Sequence, residues 1–462
     1  MKALFVPGLA LLLAACGGGG GNTPQPLVDH AVPGRFVLGV QAAATGYVAL
    51  EEAPAPYRDG LPSAPIDRRI RISQGGGAQD ADALYAPPEG WSLIDMARHP
   101  SGELSAVLAT HRELRLVRLS AQGRPLTSTP LADPEAPRDT YYDFGGIKDD
   151  TAMLPLFTRD AVRLAALGED LAVALRTGRH AVVAYRYAHA APGGYAQRWR
   201  RLVEPGTTVM ARYLTSGSHD TYGQLANHFQ VLVAANAQSE IAVAVPAAPH
   251  NGAYIAHFAH FFARVPGMPG APPALPDHGA IVTRLDGEGE RLGATHFVTE
   301  GPTQVYALRA QPGGWAIAGR HKVAGQDGGW NGFAAWLDGG TGRLQRHAVL
   351  HVEDDDVLFD IAALPDGRHL VAGATGYRQN PAGASISDHG APLLAVLDGE
   401  GRLAARIALP AHPRQNPVRS LAPTGTGRWL AAGMRAGPGT HSADADPALL
   451  RADGFVREVA LP

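Results

Sequence analysis

The chain has 462 residues, 40 of them basic and 43 acidic, for a formal net charge of -3. That balance excludes the strong basic excess of a nucleic-acid-binding surface, so no nucleic-acid partner is expected. Apolar residues are 45% and charged residues 18%, which excludes a disordered chain, and 56 Gly with 37 Pro interrupt it too often for long helices.

In chain order, Met1-Lys2 is a short positive segment and Ala3 to Leu13 is an apolar run. That run is too short for the roughly 20 residues that cross a bilayer. It ends in Leu13-Ala14-Ala15-Cys16, small residues before a cleavage point. The pattern resembles the bacterial lipoprotein signal. The resemblance implies a signal peptide over 1–15, a diacylglyceryl thioether and palmitate-type chains on Cys16, and, with Gly17 and not Asp next, sorting to the outer membrane. Both the periplasmic and the cell-surface side stay open. Cys16 is the single cysteine, so no intrachain disulfide can form and the fold must rest on its own core, which this length permits. The stretch 16–32, with Gly17 to Gly21 and Pro24 and Pro26, reads as the lipidated cysteine and a flexible tether.

From 33 to 462 the chain repeats one pattern: an apolar strand, a Gly- or Pro-bearing turn, and a second apolar strand. Phe36 to Gln41 with Tyr47 to Leu50 opens the first unit, and Arg69 to Ser73 supplies its third strand. Ile94 to Ala97 with Leu104 to Ala109, Val162 to Ala166 with Leu171 to Leu175, and Phe229 to Ala235 with Ile241 to Val245 open the next three. The clearest units begin at Val305, Leu358 and Val418, each closing its second strand at a Gly: Gly319, Gly373 and Gly433. A second pair of strands follows each, joined by Asp-Gly turns such as Asp286-Gly-Glu-Gly289, Asp338-Gly-Gly-Thr-Gly342 and Asp398-Gly-Glu-Gly401. Four short antiparallel strands per unit, repeated, predict an all-β chain folded as a β-propeller. First turns near residues 44, 101, 168, 237, 313, 366 and 425 predict seven blades. A spacing of roughly 60 residues exceeds the usual propeller repeat and also admits six or eight.

The Leu-Asp-x-x-Gly-x-Leu ending resembles the short-repeat propellers of bacterial secreted and lipid-anchored proteins. Trp336 to Leu344 resembles one blade of the quinoprotein type, but the further docking motifs and cofactor residues of that type are missing, so no cofactor is expected. Periplasmic assembly lipoproteins with propeller folds share the layout of anchor, tether and propeller.

Four insertions interrupt the pattern: 133–157, 210–228, 246–280 and 374–391. Tyr141, Tyr142 and Asp143 in the first, and Tyr377, Arg378, Asp388 and His389 in the last, combine aromatic area with adaptable polar groups and are the candidate binding residues. Six of nineteen histidines, His219, His228, His250, His257, His260 and His278, fall in one region. On a strand His257 and His260 point to opposite faces, and four converging ligands are not in evidence, so no metal site is expected. Glu353-Asp354-Asp355-Asp356 lacks the alternation of a calcium loop and reads as a solvated loop. Asp277-His278-Gly279-Ala280 and Asp388-His389-Gly390-Ala391 read as one repeated junction ahead of equivalent strands.

Two function classes follow. One is an outer-membrane-anchored module binding an envelope protein, a glycan or a small ligand. The other is an enzyme with its active site in the central channel, such as a glycan lyase, lactonase or quinoprotein-like oxidoreductase. Asp, His, Tyr and Arg converging on the channel would favour the enzyme; an apolar plug would favour the binding module.

Overall fold

The computed structural model describes residues 29–53, 57–58, 61–62, 67–73, 82–110, 113–131, 162–176, 182–190, 194–204, 231–246, 279–299, 301, 303–322, 329–353, 355–378, 389–409, 415–425, 427–436 and 452–462. Seven four-stranded antiparallel sheets account for all the strands but one short two-stranded ribbon. They are the blades of a seven-bladed β-propeller, with no helix among the described residues.

From the axis outward, blades 1 to 6 follow chain order, as do the inner three strands of blade 7. The innermost strands of blades 1 to 7 are Phe36–Ala43, Ser92–Arg98, Val162–Leu167, Leu232–Ala235, Thr303–Gln311, Val357–Ala363 and Gln415–Gly425. All seven first turns expected from the repeat fall between an innermost strand and its neighbour.

Inner strands are buried on both faces and so read as continuous apolar runs, as in Leu171 to Leu175. Outer strands keep one wet face and alternate: in Leu344–Leu350 exposed and half-buried positions run up to a buried Leu350. Between blades lie seven apolar clusters, each shared by two neighbours around the ring, the last joining Val37 and Val40 of blade 1 to Leu430 and Ala432 of blade 7.

Ring closure uses a strand that the sequence does not announce. Asp29–Val32 pairs antiparallel with Ala452–Ala460 and becomes the outermost strand of blade 7. It lies inside the stretch 16–32 that reads as tether. Four residues beside a Gly/Pro-rich segment carry too little periodicity to be seen as a strand, yet Val32 is 1% exposed.

The repeated turns share one device. The Asp286 carboxylate accepts the backbone N–H of Glu288 at 2.9 Å and of Glu290 at 2.8 Å, and Asp398 accepts those of Glu400 and Arg402, both at 2.8 Å. Asn236 and Ser120 do the same for their own turns. Satisfying these amides locally is why such residues open turns. The Gly closing the turn sits at positive φ against the preceding blade: a Cβ on Gly401 would stand 2.8 Å from that of Ala348 and 3.2 Å from the Trp336 ring. The final Leu of the motif is not core. Leu292, Leu344 and Leu403 are 41 to 45% exposed on the outer rim.

Candidate functional site

An antiparallel meander places the first and third turns of every blade at one end and the remaining connections at the other. The short turns therefore form one face, called here the turn face. The strands flanking all four long insertions end at the opposite face, called the loop face. Of the binding candidates, Tyr141, Tyr142, Asp143 and Asp388 lie outside the described residues, as do all six clustered histidines. Arg378 and His389 pair across the strands His369–Arg378 and His389–Leu397. The insertion placed at 374–391 starts inside a strand: Ala374, Thr375 and Tyr377 are buried. The two Asp-His-Gly-Ala stretches overlap the starts of equivalent strands: the third strand of blade 4 begins at Gly279 and that of blade 6 at His389, with Asp277 and His278 outside the described residues.

Tyr377 belongs to a stack at the loop-face end of blades 5 to 7. Its ring meets Phe359 edge-on at 5.3 Å, and Phe359 meets Tyr306 at 4.8 Å. The Arg419 guanidinium covers Phe359 at 3.8 Å, while that of Arg320 lies 4.4 Å from the Trp330 ring and 5.0 Å from that of Tyr377. Arg320 also donates to the Gln304 side chain at 2.6 Å, which accepts the Tyr306 hydroxyl at 2.7 Å. Cations over aromatic faces in a partly dry setting hold one another rigidly.

The acidic run supports this stack and is not a fully solvated loop. Asp356 is 0% exposed and accepts the backbone N–H of Val352 at 2.5 Å; burial pushes its carboxyl above the usual range. Asp355, at φ 60°, accepts the Trp330 N–H through its side chain and the Tyr377 N–H through its carbonyl. The sequence signal fails here because a run of four acids looks alike whether it caps backbone or faces water.

Beneath the stack, all seven innermost strands enclose a central cavity of about 130 Å³. Its charged lining is Arg163, Arg309, Arg419, Asp95 and Asp360, with Tyr306, Phe359, Gln41 and Ser420 beside them. The innermost strands of blades 1, 2, 5, 6 and 7 each carry a β-bulge at the same place, at Leu38, Ile94, Tyr306, Phe359 and Arg419. A bulge inserts an unpaired residue and re-aims side chains. In three blades the residue after it reaches the next blade. Asp95 accepts the Leu164 N–H at 3.1 Å, Asp360 the Leu421 N–H at 2.8 Å, and Ser420 the Val40 N–H at 3.1 Å.

Arg309 donates two bonds to Asp360, at 2.9 and 2.6 Å, and its side chain stays 44% accessible because it borders the cavity. The Asp360 charge raises the Arg309 pKa further above its ordinary value. Arg163 lies 3.9 Å from Asp95. Sequence reasoning does not single out the cavity residues, because the insertions carry the more conspicuous polar groups. The available signal is a charged or polar residue inside an apolar first strand, as in Leu93-Ile-Asp95-Met96 and Leu358-Phe-Asp360-Ile361.

A second polar cluster holds blades 2 and 3 together at the turn face. Arg118, 0% exposed, donates to Glu103 at 2.7 Å, to Glu169 at 2.5 Å and to the Tyr195 hydroxyl at 3.0 Å. His99 donates to the Gly168 carbonyl at 2.8 Å and accepts the Ser105 hydroxyl at 2.5 Å, and Ser105 also bonds Tyr195. Ser105 and His99 are 0% and 1% exposed. A Ser–His pair sealed in this way can brace the blades but cannot meet a substrate. Among the described residues no group of three or more His, Cys, Asp or Glu is arranged to hold a metal ion.

No protein-family model matches this chain, and no curated protein matches it in sequence. Solved structures that resemble it include puromycin hydrolase, 15% identical with a TM-score of 0.43 over 89% of this chain and 55% of that one. The β-propeller domain of the Trilobed protease from Pyrococcus furiosus is 10% identical with a TM-score of 0.37, covering 75% of this chain and 79% of that one. A protein of unknown function from Bacteroides caccae is 11% identical with a TM-score of 0.36, covering 78% and 92%. Likeness at this level does not extend to activity.

Proposed function

We propose that this chain is a lipid-anchored binding protein of the bacterial cell envelope, held at the outer membrane through Cys16, which captures a partner with the loop face of its propeller. The observation that carries this reading is the opposed placement of tether and insertions. Asp29–Val32 runs from the turn face to the loop face, so the chain preceding it leaves at the turn face. All four insertions connect strands at the loop face. A tether of about twelve residues reaches roughly 20 Å as a coil, which is short against a propeller and biases the loop face away from the bilayer. The partner is an envelope protein, glycan or small ligand, and Tyr141, Tyr142 and Asp143 with the segment 379–388 supply contact groups.

The test is crosslinking recovery of partners from membranes carrying the anchored protein. Removing 133–157 or 379–388, which spares the strand holding Tyr377, should abolish recovery while the thermal transition shifts by a few degrees at most. Recovery unchanged by both deletions would sink the reading. Cys16→Ser should release the protein from the membrane fraction and end labelled palmitate incorporation.

One observation favours the enzyme class: Asp95, Asp360 and Tyr306 do converge on the cavity with three arginines. Against it, both carboxylates accept backbone amides of the next blade and face guanidinium groups, so each is committed to holding the ring. A general acid or base needs a proton it can exchange with substrate. Turnover of a lactone, glycan or alcohol by purified protein, lost in Asp95→Asn or Asp360→Asn variants that remain folded, would establish the enzyme instead.

A further inference from the structure

The guanidinium of Arg309 is held on one edge and open on the other. Its Nε donates to Asp360 at 2.9 Å, and its Nη2 donates to Asp360 at 2.6 Å and to the Leu421 carbonyl at 3.3 Å. Among the described residues nothing accepts from its Nη1, and the side chain is 44% accessible where it borders the central cavity. Asp360 already matches its charge, so Nη1 offers the cavity hydrogen bonds and little net charge. Two more groups continue the same arc of wall. Leu421 follows Ser420, whose Oγ accepts the Val40 N–H at 3.1 Å. Ser420 is 6% exposed, and among the described residues its own hydroxyl proton meets no acceptor. Val40 precedes Gln41, which lines the cavity and whose amide has no partner among the described residues. Such donors and acceptors are costly to leave unanswered, and the Gln41 amide can both give and take. Arg163, Arg419 and Asp95 also line the cavity, but each has further partners in the protein.

We infer that this arc, from Arg309 through Ser420 to Gln41, is the binding site of a small neutral polyol, a short hydroxylated carbon chain such as glycerol or erythritol. The wall offers donors at Arg309 Nη1, Ser420 Oγ and the Gln41 amide nitrogen, and an acceptor at the Gln41 carbonyl. A hydroxyl both donates and accepts and so answers all four, whereas a carbonyl or ether oxygen only accepts. An anion gains less, because the Asp360 carboxylate stands beside the one guanidinium open to it. Leu50, Met96 and Leu308 complete the lining and suit the C–H faces of such a chain. A volume of about 130 Å³ holds about four waters at roughly 30 Å³ each, which limits the occupant to a few heavy atoms. The site is separate from partner capture at the loop face and stands without it.

The test is titration calorimetry with saturation-transfer NMR on the full chain in detergent, at constant ionic strength. Polyols stabilise most proteins by exclusion from the surface, so the readout is saturable binding and not a raised thermal transition. The probes are glycerol and erythritol, with n-propanol as the control lacking hydroxyls and sodium lactate as the anionic control. Half-saturation by one of the polyols at about 1 mM or below is within reach of so small a ligand and is the expected result. Propanol and lactate should bind at least tenfold more weakly. Gln41→Met keeps the bulk and removes the amide without breaking a bond between blades. It should weaken polyol binding about fivefold, with the thermal transition of the unliganded protein unchanged. Arg309→Lys, which retains a charge for Asp360 and lacks Nη1, should also weaken it. No saturable binding of either polyol to the unmutated protein overturns the proposal, whatever the variants do. Lactate binding as tightly as the polyols overturns the ligand class. Polyol binding unchanged in Gln41→Met places the ligand elsewhere and overturns the site.

Discussion

The carboxylate of Asp360 in blade 6 accepts the backbone N–H of Leu421 in blade 7 at 2.8 Å while holding Arg309 of blade 5 in a two-bond pair. One side chain thus ties three consecutive blades at the axis, where the innermost strands have no neighbour to pair with on their inner side. Ser420 repeats the link from blade 7 to blade 1, and Asp95 from blade 2 to blade 3.

Removing that side chain should therefore cost more than its size suggests. Asp360→Ala leaves a buried N–H without an acceptor and a guanidinium without its partner. Breaking such a pair in a dry interior costs about 3–5 kcal/mol. Arg309 keeps water access from the cavity, so about 2–4 kcal/mol is expected here, with Asp360→Asn, which retains an acceptor, losing about half as much. Urea unfolding of both variants measures the difference. Equal losses would show that the Leu421 contact contributes nothing.

The turn glycines make a paired prediction. Gly401 at φ 85° packs on Trp336 and Ala348, whereas a Cβ added to Gly367, at φ 84°, would meet nothing within 4 Å. Alanine at either site meets the same left-handed strain, about 1–2 kcal/mol. Gly401→Ala adds overlap with the neighbouring blade, about 1–3 kcal/mol more. Denaturant midpoints of the two variants should therefore separate clearly, and coincident midpoints would remove the docking role assigned to the Gly401 turn.

The fold is legible because its signals are local. Each Pro/Gly turn and each Asp–Gly turn declares itself within a few residues, and seven of them in register spell a seven-bladed ring. The closing strand Asp29–Val32 is not legible, since its partner Ala452–Ala460 lies more than four hundred residues away and four residues show no period. The site is legible only in Tyr377, and for a different reason from the one its sequence context suggests. The context points to a surface loop, whereas Tyr377 is a buried strand residue, 2% exposed, in the stack above the cavity. Arg163, Arg309 and Arg419 come from three blades, and only closure of the ring brings them to one cavity.

Closure itself can be tested. Deleting residues 29–32 while joining 28 to 33 strips blade 7 of its outer strand, uncovers the edge of Ala452–Ala460 and removes Val32 from the core shared with blade 1. An exposed flat edge invites pairing with other chains. Light scattering should show association and an earlier thermal transition. Deleting 17–28 instead, which spares the strand, should leave both unchanged. An unaltered monomer after the first deletion would refute the closing role of Asp29–Val32.

Acid should loosen the ring through two histidines. His99, 1% exposed, has its pKa lowered to about 4, chiefly by burial and also by the charge of Arg118. His369, 4% exposed, is lowered to about 4 by burial and then by Arg346. In the neutral form His99 Nε2 accepts the Ser105 hydroxyl, and His369 Nε2 accepts the Trp336 indole N–H at 2.8 Å. The unfolded chain protonates both near 6.5, so between that value and about 4 it binds more protons than the folded chain. Stability is therefore full above pH 6.5, falls as the pH drops toward 4, and levels off below that as far as these groups are concerned. The loss is on the order of 3 kcal/mol for each histidine. The surface turn carboxylates Asp338, Asp366 and Asp398 are held below their ordinary range mainly by backbone N–H bonds and titrate under this window. Urea midpoints followed from pH 7 to pH 4 should decline in the unmutated protein. In a His99→Gln, His369→Gln double variant, which keeps hydrogen-bonding groups but cannot protonate, the decline over the same range should be much flatter. A parallel decline in both proteins would assign the acid sensitivity to other groups.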